Sequence, residues 1–427
     1  MQEVVAVKIS YGDKDLISFN FFAELFRLLG LYVEEDFIED DPRAEDKKKD
    51  YSYQLFLCIS DERSESGDTV WIPSSCLGNW NMSRSDQEIL ANVTTALDRI
   101  QTWCENYDKF FPCGFVKQIL PIYIKNNVLK GAMQIQYYRI KTKYHQETER
   151  IFLDTLKELE SLKINSKYLS YAKLYCKQKA NLSCYFQKEK PLDYAISTLV
   201  SECDDLIRQY PDFSNAKVLR GMICERSSDG LKMAINSYRK ALSQVGEKSY
   251  ASHIYYWVGL LYEKFINSQD DAAYAYKCSY QLKKKYRNIY KIGYMAEKEQ
   301  DYSKAIDYYK ECVELLEKKR QGNMDPLEIE YYFKTGVLIS FHSHRHMEDY
   351  DQAIDYGNRM MNFYEKEFSE KPGGHFEYWY GPDALQYQEL SERRLKCKKL
   401  YECLAIAHRE TGNMEESDKY WNLAGQA

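Results

Sequence analysis

The sequence predicts an α+β chain that is mostly α: a small N-terminal α/β module followed by a long α-solenoid of antiparallel helix pairs. Three observations carry this. Strand-like runs are confined to the first 84 residues, helical spacing of apolar residues dominates from Ser85 onward, and the last third repeats with a period of about 34 residues. The expected boundaries are residues 1–84 for the α/β module, 85–165 for a helical connector and 166–427 for the solenoid.

In the module, Val4-Val5-Ala6-Val7-Lys8-Ile9 is β-rich, and Ser10 to Asp15 is turn material. Phe21, Phe22, Leu25, Phe26, Leu28 and Leu29 then recur at helical spacing. Gly30 stops this helix, because a glycine accepts the left-handed backbone at a helix end. Leu31-Tyr32-Val33 supplies a second strand, and a right-handed crossover makes the first pair parallel. The charged stretch from Glu34 to Asp50 reads as a solvated loop. Tyr53 to Ile59 is apolar enough for a central strand; Thr69 to Pro73 reads as an edge strand, since proline lacks the donor needed to continue.

Beyond it everything reads as helical. Ser85-Asp86-Gln87-Glu88 is a capping box opening a helix with Ile89, Val93, Leu97, Ile100 and Trp103 on one face. Phe110 to Asn127 is a shorter helical region holding Pro112 and Pro121, and Val128 to Lys163 a helix pair. Tyr168 to Phe186 and Leu192 to Arg208 form another pair, with Ala195 and Leu199 at the small and large positions.

Five stronger units follow. They centre on Gly221 with Ala234, Tyr238 and Ala241; on Gly259 with Ala272, Tyr276 and Ser279; and on Gly293 with Ala305, Tyr309 and Cys312. The fourth has Tyr332, Gly336 and Ile339, then Ala353, Gly357 and Met360, with extra residues between its helices; the fifth has Tyr401, Ala405, His408, Ser417, Trp421 and Ala424. Small residues fall where two helices cross closely, larger ones where neighbouring pairs stack. Between the fourth and fifth, Glu370 to Pro382 carries Gly373-Gly374 and four aromatics, a loop or a break in the stack.

These units resemble the tetratricopeptide family, from Phe213 to Ala424 and by extension from Tyr168. The resemblance implies a superhelix whose inner face takes a peptide, a helix or a partner loop. Register places Tyr255, Tyr256, Asn288, Tyr331 and Lys334 on that face. The N-terminal segment resembles, more loosely, a Toll/interleukin-1 receptor (TIR) domain. Val7-Lys8-Ile9-Ser10-Tyr11 with Asp13 and Asp15 looks like the family's first box, Gly30 to Glu35 like its second strand and Leu55 to Ser60 like its third. Another flavodoxin-like α/β unit is the alternative.

Catalytic TIR domains cleave NAD with a glutamate inside a Ser-x-Trp-Cys-x-x-Glu type motif. This chain has Ser74-Ser75-Cys76 and Trp80 in a different order, which leaves Glu88 as the sole weak candidate, and its capping role already accounts for it. The expectation is a degenerate, non-catalytic module that needs no cofactor, with NAD cleavage as the rival reading.

Composition bounds the function. The net charge of −6 and pI near 5.8 disfavour a dedicated nucleic-acid binder, although Lys283 to Arg287 and Arg393 to Lys399 are basic. The 39 tyrosines suit half-buried helix faces, where a ring packs and its hydroxyl stays near water. Twelve cysteines without a C-x-x-C read as buried free thiols, favouring a reducing cytoplasm. Neither a signal peptide nor a membrane span is expected. The run His342-Ser343-His344-Arg345-His346 reads as a solvated inter-helix loop rather than a metal site.

The resulting expectation is an interaction scaffold or sensor. Its solenoid binds a partner protein, a peptide or a small signal, and its N-terminal module serves assembly, including self-association, or signalling of the bacterial immune kind. A peptide-responsive regulator and a nucleic-acid binder are further rivals.

Overall fold

The computed structural model describes residues 2–4, 6–11, 16–37, 55–60, 69–73, 76–77, 85–136, 143–187, 195–227, 230–319, 326–369 and 389–426. Two compact units emerge, Met1–Ile254 and Tyr255–Ala427. Asp13, Asp15, Ser74, Ser75, Trp80 and the aromatic run after Gly374 lie outside the described residues.

The first unit opens with β1 (Gln2–Glu3), β2 (Ala6–Tyr11), α1 (Leu16–Leu28), β3 (Tyr32–Phe37), β4 (Leu55–Ile59) and β5 (Val70–Ile72). The last four strands form one all-parallel sheet in the order β3-β2-β4-β5, with Ala6 beside Tyr32, Val7 beside Leu55 and Leu57 beside Val70. The first pair is therefore parallel through α1, and the strand closed by Pro73 is at the edge, as the sequence predicts. Gly30 has φ of +73° and ends the turn after α1. A Cβ there would lie 2.7 Å from the Phe213 ring, so conformation and close approach both require glycine.

Helices follow: α2 (Asp86–Asn106), α3 (Cys113–Lys125), α4 (Val128–Gln136), α5 (Lys143–Ser161), α6 (Lys167–Gln187), α7 (Ile196–Gln209), α8 (Ser214–Cys224), α9 (Leu231–Leu242) and α10 (Lys248–Leu261). One departure from an all-helical reading is β6 (Lys109–Phe110), which pairs in parallel with β1. Asp108 takes φ of +51° after α2, which releases two residues to run extended. A two-residue strand leaves no period to detect in a sequence.

One continuous hydrophobic core extends from Val4 to Ile223, so sheet, connector and first helix pairs share an interior. The Asn215 side chain donates to the Gly30 carbonyl, and Tyr175 donates to the buried Glu24 at 2.5 Å. Those bonds tie α8 and α6 to α1 and the turn that ends it.

The second unit contains the end of α10, a π-helical turn (Tyr262–Ile266), α11 (Gln269–Leu282), α12 (Tyr286–Lys298), α13 (Tyr302–Lys319), α14 (Pro326–His346), α15 (Tyr350–Ser369), α16 (Glu389–Glu410) and α17 (Met414–Gln426). From α11 onward consecutive helices pack on one another, and α12, α14 and α16 also touch in series as one layer. The architecture is a tetratricopeptide-like array of helix pairs.

A repeated three-residue device sets the crossings. Gly221, Gly259 and Gly293 each sit beneath a tyrosine ring, Tyr238, Tyr276 and Tyr309 in turn; a Cβ would fall 2.6, 2.6 and 2.7 Å from a ring carbon. Four residues after each glycine, one helical turn on, stands a glutamate that accepts a hydrogen bond from the ring hydroxyl. The pairs are Tyr238 to Glu225, Tyr276 to Glu263 at 2.5 Å and Tyr309 to Glu297 at 2.7 Å. In the fourth unit the ring is replaced by Met360 over Gly336, and the turn position holds Ser340, which donates to the Ala353 carbonyl at 2.8 Å. Hydroxyl and carboxylate are exchanged together.

Four local expectations fail. The loop expected from Glu34 is strand β3 as far as Phe37, and Ala195, expected at a close crossing, is the exposed residue that precedes α7. The histidine run belongs to the last turns of α14, not to a loop: His342 and His344 are 2% and 8% exposed, and His342 packs against Tyr302 and Tyr309. In the fifth unit Trp421 remains 42% exposed, whereas Tyr420 stacks on His408 with centroids 5.6 Å apart.

Candidate functional site

The second unit concentrates tyrosines and cations on α12 and α14. Tyr286, Tyr290 and Tyr294 recur every four residues, one turn apart, and so form a stripe along α12. Tyr331 of α14 enters between the first two, with centroids 5.2 Å from Tyr286 and 5.1 Å from Tyr290, both edge to face. Tyr290 and Tyr294 are stacked in parallel at 6.5 Å. Tyr256 of α10 lies 5.8 Å from Tyr276 and has its hydroxyl within hydrogen-bonding reach of Tyr331.

Cations lie over these rings. Lys334 Nζ is 4.8 Å from the centroid of Tyr290, and the Arg287 guanidinium carbon is 5.5 Å from that of Tyr286. Lys291 and Lys298 each stand 5.2 Å from the Tyr294 centroid. Such contacts contribute roughly 0.5–1 kcal/mol at exposed sites and more when desolvated, and they hold long side chains upright over the rings. Lys291 is also paired with Glu263 at 2.8 Å, with both side chains mostly buried. Burial holds the Lys291 pKa down and pushes those of Tyr256, Tyr290 and Tyr331 up, so the three hydroxyls remain protonated donors at neutral pH.

The sequence-predicted residues separate into groups. Tyr256, Tyr331 and Lys334 belong to this face. Tyr255 is half-buried on α10. Asn288 is 2% exposed and accepts from the Lys285 amide at 2.8 Å while donating to the Lys283 carbonyl at 2.6 Å and Ser279 Oγ at 3.2 Å, so its side chain caps α12. Sequence reasoning noted Tyr286 only within the basic segment Lys283 to Arg287 and missed Tyr290 and Tyr294, although the four-residue spacing of the three is readable.

The basic segment before α12 is locally engaged. Lys284 pairs with Glu311 at 2.6 Å and lies over Tyr280. In the first unit, Ser10 and Tyr11 end β2, the strand between β3 and β4; Tyr11 is buried and stacks on Phe19 at 4.3 Å. Glu88 completes the capping box: it accepts from the Ser85 amide at 3.1 Å, and its own amide donates to Ser85 Oγ at 3.3 Å. Among the described residues no group of three or more His, Cys, Asp or Glu side chains is arranged to hold a metal, and no helix is long and apolar enough to cross a membrane.

No protein-family model matches the chain, and no curated protein matches it. Solved structures do align. The C-terminal part of a TPR repeat-containing protein from Cytophaga hutchinsonii aligns at 13% identity, covering 69% of this chain and 92% of that one, with a TM-score of 0.41. BtubC from P. vanneervenii aligns at 16% identity over 54% and 87% of the two chains, with a TM-score of 0.38. Aspartyl phosphate phosphatase F from Bacillus subtilis aligns at 14% identity over 71% and 73%, with a TM-score of 0.36.

Proposed function

We propose that the chain is an interaction scaffold or sensor whose α12–α14 face recognises an acidic segment of a partner protein or peptide. The observation that carries this is the set of Lys and Arg side chains held over tyrosine rings, of which Tyr290 is buried and Tyr286 and Tyr294 half-buried. The half-buried Tyr286 and Tyr294 rings supply contact area at low side-chain entropy cost, and Arg287 and Lys334 supply the charge. The N-terminal sheet is assigned to assembly or signalling on the resemblance of the sequence around Ser10 and Tyr11 to a TIR first box; a role in bacterial immune signalling is the specific form. Engagement of Glu88 in its cap favours a non-catalytic module.

Fluorescence anisotropy with a labelled Glu- and Leu-containing peptide tests the main reading, with a single-stranded oligonucleotide as competitor. Binding should be saturable and weakened at least about tenfold, some 1.4 kcal/mol, in the Arg287→Glu/Lys334→Glu variant. Peptide binding indifferent to those changes, or displaced by the oligonucleotide with a steep salt dependence, refutes it. Turnover of NAD lost on Glu88→Gln would establish the enzymatic rival instead.

A further inference from the structure

We infer that a cavity between α7, α8 and α9, in the first unit, binds a phosphate monoester carrying a small apolar substituent. The cavity measures about 280 Å³ and is lined by Asp204 and Ile207 of α7, Lys217 and Arg220 of α8, and Met233 and Lys240 of α9. Its volume lies just below the range of about 300–1,000 Å³ usual for drug-sized ligands, so it suits a small one.

The charges are unbalanced toward an anion. Asp204 is spent on Arg220, whose guanidinium it grips at 2.7 and 3.1 Å; the same guanidinium donates to Ser237 Oγ at 2.8 Å. That leaves two ammonium groups. Lys217 is only 8% exposed, and its hydrogen-bond partners are neutral: the Pro211 carbonyl at 2.7 Å and the Gln244 amide oxygen. Asp212 adds a favourable field at Lys217 but does not line the cavity. Burial lowers the Lys217 pKa against the attraction of Asp212, and the exposed Lys240 adds a smaller lowering by repulsion. A buried ammonium whose own hydrogen-bond partners are neutral gains from an anion brought into contact with it.

A dianion matches the two charges; a single carboxylate leaves one over. Arg220, fixed by Asp204 and Ser237, presents a rigid wall rather than a mobile competitor. Asn236 adds an amide beside the cations. Ile207 and Met233 form an apolar side, and Met233 is 43% exposed there. Apolar surface beside paired ammoniums fits an ester substituent better than bare phosphate. An ordinary solvated basic face would leave Lys217 in water and enclose no volume.

Isothermal titration of the full chain at constant ionic strength tests this with three probes: phenyl phosphate, inorganic phosphate and phenylacetate. Phenyl phosphate should bind most tightly. Lys240→Gln, at an exposed position, should weaken it by about tenfold without lowering the unfolding temperature of the unliganded chain, since it relieves repulsion on Lys217; Lys240→Arg should retain binding. Lys217→Met should abolish it. Absence of phenyl phosphate binding, binding unchanged by Lys240→Gln, or equal affinity for phenylacetate or inorganic phosphate overturns the inference.

Discussion

Removing the Tyr238 hydroxyl isolates one copy of the device that locks the helix pairs. Tyr238 is fully buried over Gly221 and donates to Glu225. In Tyr238→Phe the ring still fills its place, so little packing is lost, but a carboxylate held in a partly desolvated site loses a donor. A hydrogen bond to a charged group contributes about 1.5–3 kcal/mol, so that loss is expected at pH 7. The pH dependence gives a sharper test. Burial raises the Glu225 pKa above its unfolded value, while the Tyr238 bond pulls it down. Raised folded pKa values favour the native state below the unfolded pKa, where both states are protonated; this advantage is lost as pH rises through the folded value. Without the hydroxyl the folded pKa climbs further. The penalty of the substitution should therefore be small at pH 4, about that of a neutral hydrogen bond near 1 kcal/mol, and should grow to its full value above the variant's own folded pKa. Urea unfolding of both proteins from pH 4 to pH 8, followed by tryptophan fluorescence and far-UV circular dichroism, measures the difference. A penalty that is flat across this range, or that shrinks as pH rises, refutes the account.

Two further outcomes follow from the same geometry. Gly259→Ala and Gly293→Ala should each destabilise by about 1–3 kcal/mol through overpacking against a tyrosine ring, whereas Gly336→Ala, facing the pliable Met360 thioether, should be near neutral once the ~1 kcal/mol helix-propensity gain is included; equal thermal shifts in all three would contradict this. Glu263→Gln leaves the buried Lys291 without its counter-charge and should cost about 3–5 kcal/mol, against a smaller loss for the double variant Glu263→Gln/Lys291→Met, which removes the stranded charge; calorimetric unfolding of the two variants decides it.

Much of the architecture was legible because periodicity is a one-dimensional signal. Gly293, Ala305 and Tyr309 announce a close helix crossing, and the crossing is there. The β-rich run from Val4 to Ile9, the stop at Gly30 and the proline after Ile72 likewise pointed to the edge strand and the parallel first pair. The carboxylates one turn after each glycine, Glu225, Glu263 and Glu297, were visible but unread, since a glutamate on a helix usually faces water and only the neighbouring helix supplies its tyrosine donor. His342 was misread for a related reason. Polar residues at alternate positions look like a loop until Tyr302 and Tyr309 arrive from α13 to bury them. Asn288 shows the limit on site prediction: register places it on the right helix, yet the local backbone before α12 claims its amide. The cavity of α7, α8 and α9 joins residues from three helices, and no spacing in one helix signals it.

The Gly336–Met360 crossing carries a consequence for how the array yields under load. At the other three crossings a directional bond between ring hydroxyl and carboxylate fixes the rotational setting, and turning one helix must break it. A thioether has no such direction. It slides with nearly constant dispersion energy, which leaves the Ser340 bond to the Ala353 carbonyl as the directional tie of this joint; turning one helix there breaks a neutral hydrogen bond, a weaker latch than one to a carboxylate.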